Sequence, residues 1–282
     1  MKNILKMNIG IAGCGTMGLP MLEVLLKKKV KAIGYDVRPQ ENFLSLKENF
    51  VSSKKVFFEN TDVIFSLVRD INQTLELCEG SDGLFNLNSS KTLIICSTLS
   101  PAFLNDFIKK APENIEIIEA PMSGAPMRAK EASLTFMVGS TKNQFETISP
   151  ILNILGKTIH HIGKFGSGMS VKVLNNFVAS CSVVAVRHVL SEAKNLNISP
   201  DQLLEILNCS SGKTWFSENL HSIDWSKESY NKENTIGILE KDVNSYLDGL
   251  QDAGTKTNEA MQNFQKALLK GLQNIPDFPN NN

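Results

Sequence analysis

One lysine and two amides fall on a single predicted helical face within residues 166–177, which read GSGMSVKVLNNF. Lys172 and Asn176 are four residues apart, with Asn175 beside them, so the first two side chains would lie one turn apart on the same face. Glycines precede the lysine and an apolar run follows it, which indicates a helix that is largely buried. A lysine held in this way can donate or accept a proton. The alternative is a surface cation beside an amide pair that marks a helix end.

A glycine-rich loop supplies a second set of candidate residues. It has the pattern Gly-x-Gly-x-x-Gly and lies between a predicted strand and a predicted helix. Such glycines permit a tight turn and close approach of the backbone to a pyrophosphate, and the N–H groups at the helix start bind phosphate. The alternative is a tight turn in an α/β domain that binds no nucleotide. The predicted cofactor-binding loop consists of Gly13, Cys14, Gly15, Thr16, Met17 and Gly18.

The end of the second predicted strand bears on the choice of dinucleotide. Asp36 lies there, about twenty residues after the glycine loop, placed to accept hydrogen bonds from an adenosine ribose. A carboxylate repels a ribose 2′-phosphate, which favours NAD. Arg38 follows after Val37 and could instead hold that phosphate. We therefore expect NAD as the cofactor, with NADP as the alternative.

The elements that must position these residues alternate in type along the first half of the chain. Short apolar runs followed by segments with helical spacing are typical of βαβ units in a parallel, doubly wound sheet. Predicted strands are 7–12, 30–35, 63–68, 92–96, 115–119, 133–138 and 158–162, with predicted helices that include 19–29, 101–110 and 144–155. Beyond residue 168 the pattern predicts only helices, at 169–195, 201–207, 236–253 and 258–271. The predicted fold class is α/β, with an N-terminal Rossmann domain over 1–164, an all-α C-terminal domain over 165–282 and a long interdomain helix.

Composition argues against several classes of partner. The chain has 282 residues, of which 42% are hydrophobic, and 29 basic side chains balance 29 acidic ones. No overall field therefore recruits nucleic acid or a membrane surface. The longest nearly apolar stretch is about half the length of a bilayer span. Scattered cysteines with no metal-ligand spacing suit reduced thiols in a cytoplasm, and they are Cys14, Cys78, Cys96, Cys181 and Cys209. We expect a cytoplasmic protein with a small-molecule substrate and no metal.

Five motifs, in their order along nearly the whole chain, resemble those of the β-hydroxyacid dehydrogenase family, whose members include 3-hydroxyisobutyrate dehydrogenase and tartronate semialdehyde reductase. GIAGCGTMGLPM resembles the family's cofactor loop, and TDVIFSLVRD with ICSTLSP resembles the strand ends that flank the nicotinamide. EAPMSGAP resembles the loop that binds the substrate carboxylate. GSGMSVKVLNN resembles the catalytic-lysine segment, and LEKDV resembles a motif near the cleft.

The resemblance implies hydride transfer between a nicotinamide cofactor and a small 3-hydroxy acid or its semialdehyde. Lys172 would be the general acid/base, and Asn176 would orient both this lysine and the substrate, with Asn175 beside it. Ser123 and Gly124 would donate to the substrate carboxylate, although the two could form only a turn.

The same resemblance places further residues around the cofactor. Leu67 and Val68 would border the nicotinamide half, and Thr98 would border both nicotinamide and substrate. Ser97 and Thr98 also read as a helix N-cap. Lys241 would close the site over cofactor and substrate, or it could be a solvated helix lysine. The family resemblance further implies a homodimer or homotetramer.

Departures from the family pattern bear on substrate size and polarity more than on the reaction. Ala125 and Ala132 replace usual glycines, Asn234 replaces an aromatic residue, and Val24 replaces an asparagine. Two rival functions stay open, a non-catalytic NAD(P)-binding scaffold and an imine reductase of similar fold. Lys172 argues against both, because relatives of these kinds lack a lysine at this position.

Overall fold

The computed structural model describes residues 4–278, which fall into two compact units, Met1–Lys172 and Val173–Asn282. The first unit contains the strands β1 (Ile9–Ala12), β2 (Ala32–Tyr35), β3 (Phe50–Val51), β4 (Val63–Ser66), β5 (Lys91–Ile95), β6 (Ile115–Glu119), β7 (Met122–Ser123), β8 (Leu134–Gly139) and β9 (Gly156–Gly163). Its helices are α1 (Gly18–Lys27), α2 (Lys54–Glu59), α3 (Ile71–Cys78), α4 (Pro101–Lys110), α5 (Pro126–Lys130) and α6 (Lys142–Leu155). The helix α7 (Ser167–Ala193) begins in the first unit and continues in the second, which adds α8 (Pro200–Cys209), α9 (Trp215–Asn219), α10 (Thr235–Asp252) and α11 (Glu259–Gln273).

The strands form one sheet in the order β3-β2-β1-β4-β5-β6-β8-β7, with β9 paired to β8. Strands β1 to β6 pair in parallel, whereas β8 runs antiparallel to β6 and β7. Because the carboxyl ends of parallel strands meet at one edge of a sheet, the loops after β1, β2, β4 and β5 are neighbours. Those loops carry the predicted cofactor residues.

Apolar side chains cover both faces of this sheet. Every residue of β1 and β4 is buried, as expected for central strands that have helices on both sides. One core cluster packs the sheet against α1 and α6, and a second packs it against α2, α3 and α4. The arrangement is the doubly wound one that the alternation of elements predicts.

An apolar core holds the helices of the second unit together. It draws buried side chains from α7, α8, α9, α10 and α11. Arg187 lies fully buried in α7, and its guanidinium donates to the backbone carbonyls of Ser226, Glu228 and Pro276. Hydrogen bonds to carbonyl oxygens, together with the nearby charge of Asp277, compensate this buried charge. Arg187 thereby fixes the segments before α10 and after α11 to α7.

The long helix α7 has 27 residues and is extended by a 3-10 turn to Leu196. Its length and mean hydropathy of 1.5 would also suit a membrane-spanning helix. However, Lys172, Asn176 and Arg187 are all buried within it, and a charged side chain at the centre of a membrane helix costs about 2.5–3.5 kcal/mol on insertion scales. These residues favour the core helix of a globular protein.

The predicted fold class is confirmed. The bounds of β6 and α4 agree with the sequence prediction residue for residue, and α7 begins two residues earlier than predicted. The compact units divide inside α7, between Lys172 and Val173, whereas the sequence places the domain boundary before this helix. The prediction did not name α2, α3, α5, α9, β3 or β7, because these elements are too short for hydrophobic periodicity to identify.

Ala132 follows α5 with a φ of 54°, in the left-handed region. The N–H of Ser133 donates to the Arg128 carbonyl, and the N–H of Ala132 donates to the Ala129 carbonyl. This is the hydrogen-bond pattern of a Schellman motif, whose left-handed residue is usually glycine. An alanine Cβ costs about 1–2 kcal/mol in this conformation. The alanine that replaces the family's usual glycine at position 132 therefore has a backbone conformation that glycine adopts more easily.

We expect Ala132→Gly to raise the free energy of unfolding by about 1 kcal/mol, because relief of the left-handed alanine exceeds the entropy that glycine adds to the unfolded chain. Urea unfolding would measure the gain as a higher midpoint concentration, with an unchanged dependence of the free energy of unfolding on urea concentration. Ala102→Gly is the control, since Ala102 lies within α4, where glycine is about 1 kcal/mol less favourable than alanine and should destabilise. A loss of stability in Ala132→Gly would contradict the prediction.

Candidate functional site

The glycine loop lies between the ends of β1, β2 and β4. The N–H of Gly13 donates to the Tyr35 carbonyl at 2.8 Å, and the N–H of Leu67 donates to the Ala12 carbonyl at 2.8 Å. Gly13 has a φ of 93°, and a Cβ at Gly18 would lie 2.0 Å from the Gly13 carbonyl oxygen. The first and third glycines are thus required by the turn and by the packing of α1 on β1.

The second glycine of the loop has a different environment. A Cβ at Gly15 would meet no atom within 4 Å, and no side-chain hydrogen bond caps α1 at Met17. Uncapped N–H groups at a helix start, beside an open glycine, are the features that bind phosphate. Burial raises the pKa of the Cys14 thiol to about 12, so this cysteine stays a protonated thiol at neutral pH. The residues of the loop fit the pyrophosphate of a dinucleotide.

Asp36 is buried at the end of β2 and is paired with Arg38. The guanidinium donates from Nε to Asp36 Oδ1 at 2.9 Å and from one terminal nitrogen to Oδ2 at 3.1 Å. The same terminal nitrogen donates to the Cys14 carbonyl at 2.8 Å. Burial by itself raises the pKa of the Asp36 carboxyl, but the hydrogen bonds and charge of Arg38 outweigh it, and the pKa is lowered. Asp36 is therefore an anion at neutral pH, and its guanidinium partner also contacts the glycine loop.

Hydrogen bonds of Ser97 join the segments that follow β4 and β5. Ser97 Oγ donates to the Val68 carbonyl at 2.5 Å and contacts the Ser66 carbonyl at 3.3 Å. Thr98 follows, and it is half-buried. The N-cap of α4 is Ser100, whose Oγ accepts the N–H of Phe103. The alternative interpretation of Ser97 and Thr98 as the cap is wrong, because the helix begins three residues after Thr98.

Ser123 and Gly124 join β7 to the turn before α5. Ser123 pairs with Thr135 of β8, and Gly124 has a φ of 134°. A Cβ at Gly124 would lie 3.0 Å from the Arg128 Cβ. The two residues thus form a strand end followed by a tight turn, and both the structural interpretation and the carboxylate-binding interpretation are compatible with this geometry.

Within the first unit, the start of α7 lies against the segment that carries Thr98. Lys172 is buried, with 8% of its surface exposed. Met169, one turn earlier, is fully buried, and its sulfur accepts the backbone N–H of Leu99 at 3.4 Å. The lysine-bearing helix and the predicted nicotinamide border therefore meet in this unit.

In the second unit, the remaining predicted residues form one polar cluster around Asp242. Asn176 Nδ2 donates to Asp242 Oδ2 at 2.5 Å, and Asn175 Nδ2 donates to Asn176 Oδ1 at 3.1 Å. Lys241 Nζ lies 2.7 Å from Asp242 Oδ1 as an ion pair. Asp242 is 2% exposed, so the cluster orients the Asn176 amide from a buried carboxylate. Lys241 is consequently not a fully solvated helix lysine.

Asn234 caps the N-terminus of α10. Its Oδ1 accepts the N–H groups of Ile236 and Gly237, and its Nδ2 donates to the Ser229 carbonyl. An N-cap asparagine of this kind satisfies helix N–H groups that otherwise have no partner. Asn234 therefore has a structural role at this position, as the cap of α10.

Two residues of the site carry roles that sequence reasoning did not assign. Asp242 stands next to Lys241 in the sequence, which was a usable signal, but its pairing with Asn176 joins positions 66 residues apart. Glu119 ends β6 and accepts a hydrogen bond from the first turn of α7. No local pattern reveals that contact, because strand and helix start are separated by 49 residues.

Comparison with known proteins identifies the family. Residues 8–163 match the NAD binding domain of 6-phosphogluconate dehydrogenase, and residues 166–275 match the NAD-binding domain family of NADP-dependent 3-hydroxyisobutyrate dehydrogenase. Mitochondrial 3-hydroxyisobutyrate dehydrogenase of Rattus norvegicus is 29% identical over 263 residues, which cover 89% of this chain and 77% of the relative. The 2-(hydroxymethyl)glutarate dehydrogenase of Eubacterium barkeri is 30% identical over 218 residues, which cover 76% and 72%.

A solved structure supports the same fold. The 3-hydroxyisobutyrate dehydrogenase of Mycobacterium tuberculosis, determined with L-serine, superposes with a TM-score of 0.75 at 21% identity and covers 96% of both chains. At that identity the likeness concerns the fold, whereas the matches in sequence concern the family. The glycine loop with Asp36 fits the NAD(P) cofactor that both domain families share. This chain belongs to the β-hydroxyacid dehydrogenase family, and it is an NAD(P)-dependent hydroxyacid dehydrogenase.

Proposed function

We propose that the substrate is a small 3-hydroxy acid or its semialdehyde and that Lys172 is the general acid/base. The observation that carries the proposal is the buried position of Lys172 in α7, whose preceding turn contacts the segment that bears Thr98. The names of the relatives support the substrate class. Both 3-hydroxyisobutyrate and 2-(hydroxymethyl)glutarate carry a hydroxymethyl group on the same carbon that bears a carboxylate.

The proposed chemistry moves one hydride and one proton. NAD(P) would supply the hydride acceptor for oxidation of the carbinol carbon and the hydride donor for reduction, and the glycine loop with Asp36 would hold it. In oxidation Lys172 Nζ takes the hydroxyl proton as the carbonyl forms, and in reduction the ammonium gives a proton to the developing alkoxide.

The remaining predicted residues would hold the substrate for this transfer. Ser123 and Gly124 are proposed to donate to the carboxylate, and Thr98 to border the nicotinamide and the substrate. Asn176 is proposed to orient the substrate hydroxyl beside Lys172, and Asp242 keeps its amide in one orientation by accepting from Nδ2. Positioning of this kind contributes to rate as well as to binding.

We expect Lys172→Ala to lower kcat by a factor of about one hundred or more, which is the usual contribution of a positioned acid/base. Binding of NADH should persist, because the glycine loop and Asp36 are unchanged. Turnover with short semialdehydes and NADH fluorescence titration would measure the two effects. Lys142→Ala is a matched control, since the Lys142 side chain is 85% exposed in α6. Near-normal turnover in Lys172→Ala would remove the proposed mechanism.

For the cofactor, we infer a preference for NAD over NADP. Nε and one terminal nitrogen of Arg38 are already held by Asp36 and the Cys14 carbonyl, which leaves the other terminal nitrogen to meet a 2′-phosphate. The Asp36 carboxylate would also repel that phosphate. Both effects favour the adenosine ribose with a free 2′-hydroxyl.

We expect the wild-type protein to show a higher kcat/KM for NADH than for NADPH. Asp36→Ala should shift the NADPH/NADH ratio of kcat/KM at least tenfold towards NADPH, because it removes the repelling charge and releases Arg38; a tenfold change corresponds to about 1.4 kcal/mol. Arg38→Ala, the matched variant at the other end of the ion pair, should not raise this ratio. A wild-type preference for NADPH, or an unchanged ratio in Asp36→Ala, would refute the inference.

We also propose that the protein forms a homodimer or homotetramer through α7. Only 33% of the most apolar window of the helix is buried, and Leu174, Val178 and Val189 are 50%, 67% and 39% exposed. Together with exposed Ala185 they lie on one helical face by their spacing. A second copy of the chain would cover this stripe, as apolar stripes of this kind are usually covered. The cytoplasmic location expected from the cysteines stays a prediction.

We expect light scattering to give a multiple of the 31.1 kDa chain mass for the wild-type protein. Val178→Glu should shift the mass towards the monomer, because burial of an unpaired carboxylate in an apolar interface is costly. Ile206→Glu is the control, since Ile206 is 53% exposed on a different helix, α8. A wild-type protein that remains monomeric at micromolar concentration would disprove the proposal.

A further inference from the structure

Glu119 is a fully buried carboxyl group that the proposed mechanism does not use. It is the last residue of β6, where it pairs with Ile95 of β5 and Gly139 of β8. Its Oε1 accepts the backbone N–H of Gly168 at 2.7 Å. The N–H groups of Gly166 and Met169 also interact with the carboxyl group. One side chain of the sheet therefore receives the N–H groups at the start of the helix that carries Lys172.

The packing around this contact is tight at Gly139 and Gly168. A Cβ at Gly139 would lie 1.8 Å from Glu119 Oε1, and a Cβ at Gly168 would lie 2.3 Å from the Met137 carbonyl oxygen. Two glycines on different elements thus allow the helix start to approach the sheet closely enough to meet the carboxyl group. The fit depends on the length of the Glu119 side chain.

The contact lies close to the proposed acid/base along the helix. Lys172 follows Gly168 by four residues, which is about 6 Å along a helix axis. Met169 lies between them, and its sulfur accepts the N–H of Leu99. Glu119 and Leu99 together fix the first turn of α7 to the ends of β6 and β5.

The surroundings of the carboxyl group are neutral. The residues that face it are Ile95 in β5, Gly139 in β8 and the backbone of 166–169, and none of these carries a charge. The nearest charged residues along these elements are Lys91, Glu116, Lys164 and Lys172. Burial raises the pKa of Glu119 to about 7, and the backbone N–H groups only partly oppose this rise. Its Oε2 is buried without a hydrogen-bond partner among residues 4–278, which suits a carboxyl group that carries a proton over part of the neutral range.

We propose that Glu119 is a positioning residue for Lys172: it holds the first turn of α7 against the sheet and thereby fixes where the lysine amine is presented. The proposal rests on the proposed role of Lys172. Glu119 acts through the helix and does not itself touch the reacting atoms. Displacement of a catalytic group by about 1 Å can lower a rate a hundredfold, so the length of this side chain should affect kcat.

The test compares Glu119→Asp, Glu119→Gln and Glu116→Asp for reduction of a short semialdehyde by NADH. Asp withdraws the carboxyl group by one C–C bond, about 1.5 Å, whereas Gln keeps the length and an acceptor oxygen for the Gly168 N–H. Glu116 is the matched control, because it lies on the same strand and is exposed. Thermal unfolding of each variant would verify that it folds.

We expect Glu119→Asp to lower kcat at least tenfold while the KM for NADH stays within about twofold, because the glycine loop and Asp36 are untouched. Glu119→Gln should keep kcat within about threefold of the wild-type value near pH 6, where the native carboxyl group is protonated. Glu116→Asp should change neither constant.

The pH dependence supplies a second readout. A carboxyl group whose pKa is higher in the folded protein than in the unfolded chain binds more protons when folded, so stability is lost as pH rises towards and through about 7. The melting temperature of the wild-type protein should therefore fall across this range. Glu119→Gln should remove this fall, because an amide does not titrate there.

Three outcomes would overturn the proposal: wild-type kcat in Glu119→Asp, a melting temperature of Glu119→Gln that falls through pH 7 as steeply as that of the wild type, or a parallel change of kcat and the KM for NADH in Glu119→Asp. Lys172→Ala separates this failure from failure of the proposed function. If Lys172→Ala is inactive and Glu119→Asp is fully active, only the positioning role falls. If Lys172→Ala is active, both fall.

Discussion

The hydrogen bond from the Gly168 N–H to the buried Glu119 carboxyl group joins the sheet to the helix that carries Lys172. A proton-transfer group must lie within hydrogen-bond reach of the reacting oxygen. Because a lysine side chain is long and flexible, the backbone from which it extends has to be fixed, and here that backbone is the first turns of α7. Because α7 starts at the edge of the sheet where β5 and β6 end, the fold places the lysine on the same side as the loops that fit the dinucleotide.

Three buried carboxyl groups differ in the partners that surround them. Asp36 meets a guanidinium, which lowers its pKa in spite of burial, while Glu119 meets only backbone N–H groups, and burial raises its pKa. Asp242 is held between an ammonium and an amide. Charged partners favour the ionised form and an apolar environment the neutral one. Each carboxyl group is therefore suited to a different role, which is ribose recognition for Asp36, attachment of the helix for Glu119 and orientation of Asn176 for Asp242.

Sequence alone predicted the features that depend on local pattern. Strand bounds such as β6, the glycine loop and the acid at the end of β2 follow from hydrophobic alternation and turn chemistry, and they could be read without coordinates. The contacts of Glu119 with Gly168 and of Asp242 with Asn176 could not, because each joins distant segments that only the tertiary fold brings together. The pairing of Arg38 with Asp36 joins residues two positions apart, yet the proposed preference for NAD depends on its hydrogen-bond geometry, which sequence spacing does not give.

The departures from the family pattern differ in how the structure explains them. Asn234 caps α10, and Val24 is buried in the core of the first unit. Ala132 closes a Schellman motif after α5 in a left-handed conformation that suits glycine better, and nothing in the structure explains alanine there or at Ala125. Because Asn234 and Val24 have structural roles, neither of them requires an unusual substrate. The proposed 3-hydroxy acid class is therefore compatible with these two positions.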